Sequence, residues 1–153
     1  MPDFDFDEAV WVIPAKAMKG RVGKTDPFRC PLSDEAAKVV QLASAMRRGD
    51  DLFPAQRGNG YVTDVGLSKI LNKMGEAGRT HGFRSSFGTW AQETRVPPWV
   101  SDGCLQHAFG SDVYQAYHRG DGFSERREVM ARWADFVTSE RDAAQRANLR
   151  MVK

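Results

Sequence analysis

The chain has 153 residues, of which 27% are charged and 10% aromatic, with a formal net charge of +2. That is one domain's worth of chain, long enough to bury a core, and its balance excludes an intrinsically disordered polymer. No apolar run reaches membrane-spanning length and no signal-peptide pattern opens at Met1, so a cytoplasmic protein with no membrane partner is expected.

Residues 1–8 are acidic and unpatterned and read as a frayed or cut entry. Ala9 to Pro14 is a short β-type run, and Phe28 to Leu32 supplies a returning strand. A β-hairpin over about residues 9–32 is therefore expected, with Pro31 at a sheet edge or a strand end. Its long loop is basic, with Lys16, Lys19, Arg21, Lys24 and Arg29 opposed only by Asp26. Ser33 caps a helix running to about Arg48, with Ala36, Val39, Val40, Ala43 and Met46 on one face. Thr63 caps a second helix, closed by Gly75 or Gly78, and Thr80 caps a third carrying His81, Arg84, Phe87 and Trp90. A short helix follows Pro97-Pro98 and reaches about His107, and another spans Val113 to Arg119. The last helix runs from Ser124 to about Arg150, apolar at Val129, Met130, Trp133, Phe136 and Val137 and almost wholly polar beyond Ser139. The fold class is mainly α with a small β-hairpin or sheet (α+β). A helical bundle occupies residues 33–138, and residues 139–153 form a polar helical tail.

Cys30 and Cys104 are the two cysteines, and their spacing fits neither a zinc site nor a disulfide framework. Reduced structural thiols are expected. A second basic cluster, Arg119, Arg126 and Arg127, reads either as a solvated face or as a polyanion-binding surface.

His81 and Arg84 sit three apart at the start of a helix, where backbone N–H groups already favour an anion. Arginine adds a planar fork matched to phosphate oxygens, and histidine can bond the same group or move a proton. His107 lies within Leu105-Gln106-His107, and Tyr117 follows ten positions later in Ala116-Tyr117-His118-Arg119. Taken singly, each of these residues is more simply a structural one.

Taken together they carry a resemblance. His-Gly-Phe-Arg-Ser-Ser-Phe-Gly-Thr-Trp-Ala (81–91), Leu-Gln-His (105–107), Ala-Tyr-His-Arg (116–119) and the Glu-Arg-Arg…Trp-Ala-Asp-Phe run (125–136) resemble the catalytic domain of tyrosine recombinases. The likeness is to the integrases of prophages and genomic islands, with Trp11 to Ala15, Met18-Lys19, Pro31-Leu32-Ser33 and Leu52-Phe53-Pro54 matching upstream in the same order. It covers roughly residues 9–138 and implies the catalytic-domain fold of that family, incomplete at its N-terminus. By this match Tyr117 is the nucleophile, Arg84 the second arginine of the family's pair, His81 the basic residue before it and His107 the later histidine. Lys19 matches the general acid, with Lys16 and Lys24 as the other candidates. Phe28-Arg29-Cys30 stands where the family has His-x-Val, so the register of the loop stays open. Tyr114 lies three residues before Tyr117, and the sequence context favours Tyr117.

The chemistry the resemblance implies needs neither a metal nor a cofactor. A tyrosine hydroxyl attacks a DNA phosphodiester and stores the bond as a 3′-phosphotyrosine. Basic side chains hold the charge that develops on phosphate, and a lysine protonates the leaving 5′-hydroxyl. Lys16, Arg21, Lys24, Arg29 and Arg119 are the expected DNA-binding residues. The partners implied are double-stranded DNA and other integrase protomers on it, the chain alone being a monomer or weak oligomer associated with the bacterial nucleoid. The family's first catalytic arginine and its core-binding domain match nothing in the chain, so cleavage by this chain alone is expected to be impaired. The alternative is a catalytically dead remnant that binds DNA or another protomer.

Overall fold

A computed structural model describes residues 3–18, 26–47, 49–55, 60–76, 78–107 and 120–151, the stretch 140–151 by its backbone. The fold is α+β and mainly helical, as the periodicity predicts. It divides into two compact units, Met1–Ala36 with Pro98–Lys153, and Ala37–Pro97.

The first unit holds a three-stranded antiparallel sheet in the order β1 (Phe4–Asp5), β2 (Val10–Ile13), β3 (Phe28–Pro31). The expected hairpin is β2 against β3, in the register Val10↔Pro31 to Ile13↔Phe28. Pro31 ends β3 at the sheet edge, where its missing N–H costs no ladder bond. The expectation of a frayed entry is corrected. Phe4 pairs with Trp11 across the ladder, and the rings stack with centroids 5.6 Å apart. Aromatic cross-strand pairs of this kind hold a short strand that composition alone would leave loose. The return from β1 is set by the Asp5 carboxylate, which accepts from the Glu8 N–H at 2.9 Å.

A short 3-10 turn, Ala15–Ala17, follows β2. Helix α1 (Asp34–Ala45) begins where the Ser33 hydroxyl accepts from the Ala36 N–H. Helix α4 (Pro98–Cys104) and the long helix α5 (Phe123–Met151) pack on each other, and α5 also packs on β3. Val10, Val100, Val129 and Ala134 are buried there. The expected apolar stripe of α5 is shorter than its pattern suggests: Val129 is buried, but Phe136 and Val137 are exposed. The helix runs on to Met151.

In the second unit, α2 (Asp64–Lys73) starts at Thr63, whose hydroxyl accepts from the Gly66 N–H. α3 (Gly82–Glu93) buries Phe87, Trp90 and Ala91. Thr80 does not cap α3 as expected: its hydroxyl donates to the Asp64 carboxylate, and His81 stands at the N-cap without a side-chain bond.

Three helices close in the same way, with a left-handed residue after the cap and two crossed backbone bonds. After α2 that residue is Gly75, and Glu76 N–H reaches the Leu71 carbonyl. After α3 it is Arg95 at φ 57°, and Val96 N–H reaches Ala91. After α4 it is Gln106 at φ 58°, and His107 N–H reaches Asp102 at 2.8 Å. Glycine is the usual occupant, so the two exceptions each carry about 1 kcal/mol of backbone strain.

Candidate functional site

The closure of α4 is what fixes His107. Its backbone bonds the Asp102 carbonyl, and its ring Nδ1 lies 3.3 Å from the Asp102 carboxylate. Backbone and ring are thus both tied to the last turn of α4. The preceding residue reaches the other way: the Gln106 amide donates to the Met18 sulfur at 2.9 Å. The start of the basic β2–β3 loop therefore lies beside Gln106.

His107 lines an open cleft of about 240 Å³ with Pro27, Phe28, Arg29, Gly103, Gln106, Asp121 and Arg126. The cleft is built around Arg126, whose side chain is 3% exposed. Its Nε donates to the Asp121 carbonyl at 2.9 Å, Nη1 to the Arg29 carbonyl at 2.7 Å, and Nη2 to the Asp121 carboxylate at 3.2 Å. The guanidinium also faces the rings of Phe28 and Phe123, and an alkyl carbon packs where a Cβ on Gly103 would stand, 3.1 Å away. A buried charge is tolerable only when its donors are all met. Here they tie β3 to the entry of α5 in one corner, while the stem of Arg126 packs against α4 at Gly103.

Asp121 enters α5 through Gly122, which has φ +60° and lies against Trp99. A Cβ there would stand 2.8 Å from the indole, so the turn requires glycine. Arg29, in contrast with Arg126, is half exposed, lies 3.9 Å above the Phe123 ring and reaches Asp121 at 3.4 Å. Arg127 donates to the Glu8 carbonyl at 2.7 Å.

Cys30 and Cys104 flank this corner as free, half-buried thiols. Burial pushes Cys30 upward and Cys104 to about 11, against the lowering influence of Arg126. Both are therefore protonated at neutral pH and unsuited to nucleophilic work.

Among the residues singled out in the sequence, Arg29 and His107 share the cleft, and Lys16 is exposed on the 3-10 turn. His81 and Arg84 are exposed at the N-terminal end of α3, in the second unit. Tyr117, Tyr114, Lys19, Arg21, Lys24 and Arg119 lie outside the described residues. Arg126 belongs to the core of the corner and not to a charged surface. Sequence reasoning missed Asp121, Phe123 and Asp102. The turn signal of Asp121-Gly122 was legible, but nothing local tells that a guanidinium five residues later will fold back onto it.

The chain is 32% identical over 139 residues to the prophage integrase IntA of Escherichia coli K12, a match covering 88% of this chain and 33% of that protein. The chain is a relative of the phage and prophage integrases. The integrase of Shigella phage Sf6 is 27% identical over 87% of this chain and 35% of its own length, and that of Enterobacteria phage P4 is 28% identical over 92% and 36%. The chain thus spans about a third of the length of the curated integrases it matches. No family model and no solved structure matches it. Among the described residues, no helix is long and apolar enough to cross a membrane.

Proposed function

We propose that this integrase relative is a DNA-cutting domain of the tyrosine type, working in DNA integration and site-specific recombination. The observation that carries the reading is the similarity to integrases along most of the chain. Tyr117 gives up its hydroxyl proton to solvent as its oxygen attacks the scissile phosphorus and takes the phosphate as a 3′-phosphotyrosine, while the 5′-oxygen leaves and takes a proton from Lys19, or from Lys16 or Lys24. Arg84, His81 and His107 hold the negative charge gathering on the phosphate oxygens. Free tyrosine has a pKa of about 10, so a basic setting is what makes its hydroxyl usable. The contact between Gln106 and Met18 supports a general acid from this loop, because it brings the start of the loop to the residue before His107. The exposed Arg29 and Lys16, with Arg21, Lys24 and Arg119, supply phosphate contacts that position the duplex. Residues 139–153, in this scheme, meet neighbouring protomers on DNA.

A second reading is DNA binding, or contact with other protomers, without cleavage. The exposed Arg29 and Lys16 serve it without any covalent step. A duplex nicked near the cleavage site, which traps the covalent intermediate, separates the two. The tyrosine reading expects a protein–DNA adduct that Tyr117→Phe abolishes and Tyr114→Phe leaves in place, with DNA binding intact in both. An adduct lost with Tyr114→Phe and kept with Tyr117→Phe would reverse the assignment. Binding with no adduct favours the second reading.

A further inference from the structure

The carboxylate of Asp121 is shared between two arginines of very different standing. Arg126 is buried, holds the Asp121 carbonyl and carboxylate together, and also holds the backbone of residue 29. Arg29 meets the same carboxylate oxygen at 3.4 Å, with both side chains about half exposed, 51% and 48%. An ion pair of that exposure shifts an equilibrium by no more than about fivefold, so it exchanges readily. The guanidinium of Arg126 is covered and holds Asp121 by its carbonyl as well as its carboxylate. Asp121 therefore stays in place, and Arg29 is the partner that can leave.

The geometry points to Asp121 as the resting partner of a phosphate-reading arm, Arg29, setting how strongly that arm is offered to DNA. The inference rests on the reading of this chain as DNA-binding. Arg29 lies on the Phe123 ring at 3.9 Å, which keeps its fork oriented when the carboxylate is exchanged for another anion. A backbone phosphate presents two oxygens to that fork where Asp121 takes one donor. A phosphate so held lies in the cleft lined by His107, and the Asp121 charge, left without Arg29, opposes it. Asp121 thus competes with the phosphate for one cation and weakens binding at that contact.

A double-mutant cycle on this chain tests the idea, with anisotropy of a labelled duplex read across a salt series. Asp121→Asn keeps an oxygen for Arg126 and removes the charge. It is expected to tighten binding about three- to fivefold and to steepen the salt dependence. Arg29→Ala is expected to weaken binding and to lower the salt slope by about one contact. In the Arg29→Ala background, Asp121→Asn is expected to gain less than about twofold. An equal gain in both backgrounds, which a general charge effect gives, overturns the inference, as does no gain in either. Asp121→Ser leaves the carbonyl bond to Arg126 in place and is read in the same way if the asparagine variant melts early. A wild-type chain without salt-dependent DNA affinity is a different failure, since it removes the DNA reading itself.

Discussion

The two units hold themselves together by different means. In the first, a single buried guanidinium bonds β3 to the entry of α5, and the described buried side-chain polar atoms are all bonded. In the second, the core is Ala43, Phe87, Trp90, Ala91 and Val96, while Val39, Leu42, Met46, Val65 and Met74 are exposed on α1, α2 and the turn after each. A polar lock is directional: it fixes geometry to within a bond, and its loss is abrupt. A small apolar core tolerates change more gradually. The cleft sits on the locked side, where Arg29 and His107 are held by backbone bonds.

The comparison breaks most sharply at Arg126. Arg126→Met keeps the apolar stem but leaves the carbonyls of residues 29 and 121 without their donors. A destabilisation of about 3 kcal/mol is expected, since bonds to a charged group contribute about 1.5–3 kcal/mol each and water regains part of the loss. The adjacent Arg127→Met removes one exposed bond and is expected to cost below about 1 kcal/mol. Urea unfolding of the two variants measures the contrast. Equal costs would mean that the corner is no lock.

The second unit answers to smaller changes. Thr63→Ala removes the hydroxyl that caps α2 and is expected to cost about 1 kcal/mol, whereas Thr63→Ser retains the bond and most of the stability. Thermal unfolding reads the difference, and a Thr63→Ser variant as weak as Thr63→Ala would show that the methyl group, not the cap, matters there.

How much of this was legible follows the range of the interaction concerned. The hairpin, the starts of α1 and α2 and the stop at Gly75 are local signals, and the structure follows them. The left-handed closures at Arg95 and Gln106 escaped because neither residue is glycine, though the second one fixes His107. β1 escaped because its support is a ring, Trp11, on another strand. Thr80 looked like a cap by its place in the chain, but its hydroxyl donates a hydrogen bond to Asp64, sixteen residues away. Of the candidate site, the resemblance gave residue types and order as expectations, and the structure brings Arg29 and His107 to one cleft. The partnership of Arg29, Asp121 and Arg126 was not, because it joins positions up to 97 apart and depends on which arginine is covered.

The smallest effect concerns pH and the locked corner. Burial holds the Cys104 thiol neutral and raises its pKa from 9.0 to about 11. In the unfolded chain the ordinary value applies. Below pH 9 both states carry the proton, and the folded state has its full advantage. As pH rises from 9 toward 11 the unfolded state gives up its proton first, so stability falls across that window and levels once both are ionised. Solvent reaches the half-buried thiol, so the loss is expected to stay below about 1 kcal/mol. Lysines and tyrosines titrate in the same range, and the comparison that isolates the thiol is Cys104→Ala, measured by urea unfolding at both ends of the window. The wild-type chain is expected to lose more than the variant. If the two lose the same, the thiol is already open to water, and the corner around Arg126 is looser than its bond lengths imply.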